Sequence, residues 1–284
     1  METTNAFASL WHEVAGLSDA QLAARFGAFA ASTSVVFVRG YLGGFMPGNL
    51  REPARAAARC GFDARVAPLS TRGTVDDNVD GLAACVAEQL ARSDRERFIL
   101  CGHSKGGLES LALVQRRPAL AARCAGVILS QTPRGSSRVL ECLLDSRHDE
   151  TLCSGGRRIS VGVQRRGLRA IGGARGGREL IAPHIGALTR SLLEPKPSVP
   201  VLQTASWSSQ PTTWLDSFHE RLREIRPGCA HDGQFFLEDL IWPGLPHVLV
   251  PHLDHAQPVM GGHGFRHDRY WLVMLLMLAE GRGT

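Results

Sequence analysis

FILCGHSKGG, the stretch from Phe98 to Gly107, decides the fold of this chain. Its first four residues are apolar and predict a short buried strand, and the residues from Gly107 to Val114 have the pattern of a helix. A G-x-S-x-G pattern between a strand and a helix is typical of a nucleophile elbow, where the chain reverses sharply and holds the serine in a strained conformation. Gly102 and Gly106 keep side chains out of that crowded turn. The stretch therefore predicts Ser104 as a nucleophile at the edge of a sheet.

Short apolar runs alternate with helical patterns along the rest of the chain. Strands are predicted at 35–38, 64–67, 97–101, 126–129, 200–207 and 248–250, and helical regions at 7–31, 50–59, 75–92 and 267–280. The first helical region is one or two helices, with Ser18 and Gln21 spaced as a capping box. Because short strands and helices alternate, the sequence predicts an α/β fold with a doubly wound, mostly parallel sheet and helices on both faces.

The periodic pattern stops from about Thr132 to Pro197, which is too long for an ordinary connection. Only weak helical patterns occur there, at 136–144 and 179–193. We therefore expect residues 134–197 to form a cap or lid, inserted between the middle and late strands of a core made of residues 1–133 and 198–284.

Charge is concentrated in this insertion. Seven arginines and no acidic residue lie between Thr151 and Arg178, whereas the whole chain has a net charge of +5. A solvated, mobile insertion is the simpler interpretation. The alternative is a surface for an anionic substrate, an acidic lipid or a polyanion, but no aromatic residues are interleaved there to stack on bases. We therefore expect no nucleic-acid partner.

The cysteines and the chain ends bear on the compartment. The seven cysteines show neither a C-x-x-C pair nor a metal-ligand spacing, and several lie in apolar segments, as reduced buried thiols do. A bridge between Cys142 and Cys153 is the alternative. The N-terminus lacks a basic start followed by an apolar run, and the apolar run from Tyr270 to Ala279 is too short to span a bilayer. These features predict a soluble, cytoplasmic protein without a transmembrane segment.

A serine nucleophile needs a base, and in this fold class that base is a histidine late in the chain. His255 is the leading candidate because it lies five residues past the predicted strand at 248–250. His252 is the alternative base, only two residues past that strand. His247 and His263 are expected to be surface or loop residues.

The base needs an acid that orients it, and the acid should come between the serine and the histidine in the chain. Asp232 is the leading candidate because the sequence HDG predicts a tight loop between two late strands. Glu238 and Asp239 are the alternatives, although acidic residues in the first turn of a helix are also favoured by the helix dipole.

Two backbone amides should stabilise the oxyanion of a tetrahedral intermediate. One belongs to Lys105, directly after the nucleophile, and the other to Tyr41, in the glycine-rich loop after the strand at 35–38. The Lys105 side chain has two interpretations, either raising the local positive potential or reaching solvent from the start of the helix.

Together these motifs resemble the α/β-hydrolase fold and, within it, the bacterial triacylglycerol lipase and esterase group. The similarity rests on the oxyanion-loop pattern VVFVRGYLGG, the elbow GHSKGG, the segment TPRGS, the acid loop at Asp232 and the histidine-loop pattern LDHAQPV. Arg39 stands where the group usually has a histidine. A second alignment matches His252 and Asp254 to the H-L-D of secreted lipases, which would make His252 the base and imply calcium.

The resemblance implies a serine hydrolase that cleaves carboxylic esters through Ser104, His255 and Asp232 with an acyl-enzyme intermediate. A thioesterase or an acyltransferase with the same triad is the alternative, as is a non-catalytic ligand-binding protein of the same fold. We expect a small acyl ester as substrate, inside the cell, with no cofactor and no metal. The sequence leaves the acyl chain and the oligomeric state open.

Overall fold

The computed structural model describes residues 2–148, 156–211, 213 and 218–282. Up to the fourth strand the elements are α1 (Glu2–Ala15), α2 (Asp19–Ser32), β1 (Thr33–Val38), α3 (Arg51–Arg59), β2 (Asp63–Val66), α4 (Val75–Arg92), β3 (Arg97–His103), α5 (Lys105–Arg116), α6 (Pro118–Ala121) and β4 (Cys124–Ser130). They continue with α7 (Arg138–Leu144), α8 (Gly156–Ala170), α9 (Ala174–Arg178), α10 (His184–Leu193), β5 (Val201–Trp207), α11 (His219–Ile225), α12 (Leu237–Leu240), β6 (His247–Pro251), α13 (Gln257–Met260) and α14 (His267–Ala279). Two 3-10 turns cover Gly43–Phe45 and Ser146–His148.

The strands form one parallel sheet in the order β2-β1-β3-β4-β5-β6. In the centre of the sheet, Val36 of β1 lies opposite Leu100 of β3, and Leu100 lies opposite Val127 of β4. Every residue of β1 is buried, as expected for a strand with helices on both faces. The predicted doubly wound parallel sheet is therefore confirmed, and a strand is present at each predicted position.

Apolar side chains on the two faces of the sheet form two separate cores. Val36 and Leu100 belong to the core that includes α4 and α5, whereas Val35 and Ile99 belong to the core that includes α1, α3 and α14. This division follows from the strand geometry, because successive side chains point to opposite faces. Helix α14 is buried along its length, from Tyr270 to Leu278, and anchors the second core.

The helical predictions outside the insertion are also present. The region 7–31 forms two helices, and Ser18 and Gln21 make the predicted capping box at the start of α2. Helix α4 begins and ends where its apolar pattern predicts, at Val75 and Arg92. No helix within the described ranges is long and apolar enough to cross a membrane.

The described part of residues 134–197 is mainly helical and packs on the core. The sequence pattern did not predict α8, yet its Val161 and Leu168 are buried in the same core as α4 and α5. The Arg165 guanidinium donates hydrogen bonds to the carbonyl oxygens of Leu143 and Cys142, which tie α8 to α7. From residue 160 onward this segment is therefore not a solvated loop. The alternative disulfide involves Cys153, which lies outside the described residues.

The turn between β3 and α5 depends on residues without side chains. Ser104 alone separates the two elements, and its φ of 53° lies in a region that non-glycine residues rarely adopt. Helix α5 then runs directly against the end of β1. A Cβ at Gly106 would overlap the carbonyl oxygen of Val38, so only glycine allows this approach.

Replacing Gly106 by alanine should lower the free energy of unfolding by about 3 kcal/mol, because the new methyl group forces the helix away from the sheet. The matched control is Gly162→Ala in α8, where a Cβ meets nothing within 4 Å. Since alanine is the better helix former, the control should gain about 0.8 kcal/mol. Urea unfolding of both variants measures the difference. Equal stability of the two variants would contradict the crowding at Gly106.

Candidate active site

Ser104 occupies the carboxyl edge of the sheet. Its amide donates a hydrogen bond to the carbonyl oxygen of Ser130 over 2.9 Å, which fixes the turn against the end of β4. The loop after β1 comes equally close, because a Cβ at Gly40 would lie 2.8 Å from the Cβ of Ser104. The side chain is largely buried but lines a cavity. The structure thus places Ser104 at the wall of a cavity, beside the loop that follows β1.

His255 and Asp232 are hydrogen bonded to each other. The distance from Nδ1 of His255 to Oδ2 of Asp232 is 2.7 Å, and the His255 amide donates to the Asp232 carbonyl oxygen over 2.8 Å. His255 lines the same cavity as Ser104. No hydrogen bond joins the hydroxyl of Ser104 to the imidazole of His255 in this structure, as is common before a substrate tightens such contacts.

The loop that carries Asp232 prepares its carboxylate to receive the imidazole. Oδ1 accepts hydrogen bonds from the amides of Gln234 and Phe235, each over 2.9 Å, so the second oxygen is left for His255. Gly233 takes a φ of 98°, which permits this tight turn. The Asp232 side chain is 0% exposed, and its charge is stabilised by three donors in place of water.

The alternative candidates lie elsewhere. His252 is exposed and does not line the cavity. Glu238 is also exposed, and its carboxylate pairs with Arg226 over 2.5 Å. Asp239 sits beside it in α12, where its carbonyl oxygen accepts from the amides of Arg134 and Gly135. The structure therefore brings together Ser104, His255 and Asp232, and it does not bring His252, Glu238 or Asp239 into this arrangement.

The cavity over Ser104 has a volume of about 210 Å³. Its walls come from the loop after β1, from the insertion, from the acid and histidine loops and from Phe218. The apolar side chains that the insertion contributes are Val139, Leu140, Leu143, Leu168 and Leu180. None of the lining residues described is lysine, arginine, aspartate or glutamate. The cavity suits an uncharged, largely apolar ligand.

Two backbone amides beside Ser104 are free. Among the described residues, neither the Lys105 amide nor the Tyr41 amide has a hydrogen-bond acceptor. The Lys105 amide is the first of α5, where unpaired N–H groups are expected. The Tyr41 hydroxyl donates to the carbonyl oxygen of Gly173 over 2.7 Å, so the insertion holds this loop in place. Arg39, at the position of the usual histidine, donates to the carbonyl oxygen of Asn49 over 3.4 Å.

The Lys105 side chain does not reach solvent. It is 1% exposed and forms an ion pair with the carboxylate of Glu109, one turn further along α5. Asn78 of α4 donates to the same carboxylate oxygen over 2.6 Å. Burial raises the pKa of Glu109, although Lys105 and Asn78 act in the opposite direction. This buried pair joins the first turn of α5 to α4 directly behind the nucleophile.

A histidine pair adjoins the acid loop, and sequence reasoning did not identify it. The rings of His219 and His231 lie 4.8 Å apart, and both side chains are buried. Three of their four ring nitrogens have no hydrogen-bond partner among the residues that the structure describes. Burial, together with the neighbouring His219, lowers the pKa of His231 to about 4. The residue next to Asp232 is therefore neutral at pH 7.

Asp254 is the aspartate that the second alignment would assign to calcium. In the structure its polar atoms are hydrogen bonded within the histidine loop. Its Oδ1 accepts from the amides of Ala256 and Gln257 over 3.1 and 3.0 Å, and its own amide donates to Oε1 of Gln257 over 3.0 Å. Within the described ranges, no group of three or more His, Cys, Asp or Glu side chains is placed to hold a metal ion. These contacts show a role for Asp254 in closing the loop that carries His255.

Solved structures resemble this chain more clearly than sequences do. No protein-family model matches the sequence, and a comparison with curated proteins finds no match. The metagenomic carboxyl esterase MGS0156 has 20% sequence identity and a TM-score of 0.67, over 88% of this chain and 76% of that protein. The mature Bacillus licheniformis lipase BlEst2 has 17% identity and a TM-score of 0.61, over 89% of this chain and 93% of that one. The chain therefore has the α/β-hydrolase fold, as its motifs imply.

Replacing Lys105 by methionine should lower the free energy of unfolding by about 3–5 kcal/mol, because Glu109 loses its cation while it stays buried. The loss should shrink at low pH, where Glu109 takes up a proton and no longer needs a cation. The double variant Lys105→Met with Glu109→Gln removes both charges and should regain most of the stability. Urea unfolding of the wild type, the single variant and the double variant at several pH values measures these differences in stability. A single variant as stable as the wild type would contradict it.

His231 should make the protein less stable in acid. Its pKa is about 4 in the folded protein and 6.5 ordinarily, so its contribution is complete above pH 6.5 and is lost as the pH falls towards 4. In the variant His231→Gln, the fall in unfolding free energy across that range should be smaller by about 2 kcal/mol. The control is His12→Gln, an exposed position on α1. Parallel pH curves for wild type and His231→Gln would refute the assignment.

Proposed function

We propose that this protein is a serine hydrolase that cleaves carboxylic esters through Ser104, His255 and Asp232. The observation that carries the proposal is the convergence of these residues from three distant segments. Ser104 and His255 line one apolar cavity, and Asp232 holds the His255 imidazole by a 2.7 Å hydrogen bond. The two structural neighbours are named as a carboxyl esterase and a lipase, which supports the same reaction class.

In the acylation step, the Ser104 oxygen attacks the ester carbonyl carbon while Nε2 of His255 takes the hydroxyl proton. Nδ1 of His255 carries its proton towards Asp232, so Nε2 is the nitrogen free to act as a base. The carboxylate stabilises the imidazolium that forms. The imidazolium then donates its proton to the leaving alkoxide as the carbon–oxygen bond breaks, which leaves an acyl-enzyme and a free alcohol.

The negative charge on the carbonyl oxygen needs donors that are already in position. We assign this role to the amides of Tyr41 and Lys105, which have no acceptor among the described residues and flank Ser104 from the β1 loop and from α5. Neither amide has to break an existing hydrogen bond before it donates, which is the advantage of a preorganised site. In the deacylation step, water attacks the acyl carbon while His255 takes a proton from the water. The second tetrahedral intermediate then collapses, His255 returns the proton to the Ser104 oxygen, and the acid is released.

The lining of the cavity limits the substrate. Because none of its described residues is lysine, arginine, aspartate or glutamate, a charged acyl or alcohol group would lose its hydration without a partner. We therefore propose an uncharged ester with an aliphatic acyl chain. This proposal differs from the alternative of an anionic substrate, which rests on the arginines of the insertion.

We further propose that residues 134–197 act as the cap over this site. Leu140, Leu143, Leu168 and Leu180 from this segment form one wall of the cavity, so the segment contributes to the binding surface. The hydrogen bond from the Tyr41 hydroxyl to the Gly173 carbonyl oxygen links the same segment to the residue whose amide is the proposed oxyanion donor. A cap with these contacts would influence both the choice of acyl chain and the oxyanion loop.

Hydrolysis of p-nitrophenyl esters of increasing acyl length tests the proposal. The wild type should turn over uncharged esters, and Ser104→Ala should lower kcat by at least about 10⁴-fold, because the nucleophile has no substitute. A fluorophosphonate should label the wild type at Ser104 and leave the variant unlabelled. An enzyme whose kcat survives Ser104→Ala would refute the assignment. A wild type that is neither active nor labelled would favour a non-catalytic ligand-binding protein.

Matched pairs of variants test the base and the acid. His255→Gln should abolish turnover, whereas His252→Gln should stay within about twofold of the wild type. Asp232→Asn should lower kcat by about 10³- to 10⁴-fold, because the imidazole loses its orientation, and Glu238→Gln should have no effect. Parallel assays with thioesters and with alcohol acceptors separate ester hydrolysis from thioester hydrolysis and acyl transfer.

A further inference from the structure

Gln131 is a buried residue in a strained conformation next to the candidate site. It directly follows β4, has a φ of 48°, and its side chain is 0% exposed. A non-glycine residue with positive φ costs free energy and persists only where its surroundings hold it. The proposed reaction gives Gln131 no role, and it does not line the cavity.

Both polar atoms of the Gln131 side-chain amide are hydrogen bonded, and their partners belong to three separate segments. Nε2 donates to the carbonyl oxygen of Asp254 over 2.9 Å and to the hydroxyl of Ser206 over 2.5 Å. Oε1 accepts from Nε2 of His103 over 3.1 Å. One side chain thus connects the end of β3, the end of β5 and the histidine loop.

His103 completes the connection. Its Nε2 also contacts the carbonyl oxygen of His255 over 2.8 Å. Because a carbonyl oxygen can only accept, Nε2 carries the proton and donates to both oxygens. Burial lowers the pKa of His103 to about 3, so the ring is neutral and keeps this arrangement at pH 7.

These contacts fix the backbone on both sides of the His255 side chain. The Asp254 carbonyl is held by Gln131, the His255 carbonyl by His103, and the His255 amide by the Asp232 carbonyl. His103 immediately precedes Ser104 in the chain. The position of the base relative to the nucleophile is therefore set through a hydrogen-bonded path of two side chains.

We propose that Gln131 is a positioning residue that fixes the distance and angle between His255 and Ser104. The inference rests on the proposed esterase function. Gln131 does not touch the substrate or the reacting atoms, so it acts through the histidine loop. Misplacement of a catalytic group by about 1 Å can cost two orders of magnitude in rate, which is the size of effect that this position can control.

The test is Gln131→Met, which keeps the length of the side chain and removes its hydrogen bonds. On the p-nitrophenyl ester that the wild type cleaves best, kcat should fall about 10- to 100-fold while KM stays within about twofold. KM is expected to change little because Gln131 does not line the cavity and the apolar side chains of its walls are unchanged. The rate of Ser104 labelling by a fluorophosphonate should fall in parallel.

Gln203 supplies a matched control for lost stability. It is equally buried, on the neighbouring strand β5, and its amide makes three hydrogen bonds to the backbone of Trp242 and Leu245. Gln203→Met should lower the melting temperature as Gln131→Met does, but it should leave kcat within about twofold of the wild type. If Gln131→Met does not fold, Gln131→Asn replaces it, since a side chain one methylene shorter no longer reaches the histidine loop.

The outcomes separate the two proposals. An active wild type with kcat lowered only at Gln131 supports the positioning role. An active wild type in which Gln131→Met and Gln203→Met have the same kcat refutes the positioning role and leaves the esterase proposal intact. A wild type without turnover or labelling overturns both.

Discussion

The reversal of the chain at Ser104 is the constraint on which the rest of the structure depends. A single residue with a φ of 53° connects the central strand β3 to α5, and such a conformation costs of order 1–3 kcal/mol. The cost is tolerated because two apolar cores hold the strand and the helix in place on either face of the sheet. The same reversal places the first amide of α5 next to Ser104, with no acceptor in the described part of the chain. The turn at Ser104 therefore accounts for three features together: the backbone strain, the position of the nucleophile and the amide that can stabilise an anion.

The loops that face Ser104 are held by buried hydrogen-bonded polar groups as well as by apolar packing. Both carboxylate oxygens of Asp232 accept hydrogen bonds, and the Asp254 carboxylate accepts a hydrogen bond from an amide of its own loop. The side-chain amide of Gln131 is hydrogen bonded to neighbouring segments. In a low-dielectric interior each of these groups would be costly if it were unpaired, so the loops have few alternative conformations. Apolar contacts alone would leave the loops less directionally fixed. Directional bonds suit a site whose chemistry depends on sub-ångström placement.

The features that could be predicted from the sequence are those that depend on residues close together in the chain. The strands, α4 and the elbow at Ser104 are specified by short runs of residues, and they are where those runs indicate. The placement of His255 followed from its distance past a strand. Helix α8 was missed because glycine and arginine weaken its local pattern, and its burial comes from contacts with α7 and the core. The roles of Gln131 and of the pair His219 and His231 arise only from segments far apart in the chain, so no local pattern predicts them.

The arginines of the insertion illustrate the same distinction between composition and position. As a count they suggest a surface for anions, yet none of the five whose side chains the structure describes, from Arg165 to Arg178, lines the cavity. Arg165 binds the carbonyl oxygens at the end of α7, and Arg175 pairs with Asp77 near the start of α4. The Arg165 guanidinium satisfies carbonyl oxygens at a helix end inside the insertion, whereas Arg175 forms an ion pair between the insertion and the core. The wall that this segment gives to the cavity is leucine-rich, so these two arginines hold the segment to its neighbours while its apolar side chains shape the proposed substrate site.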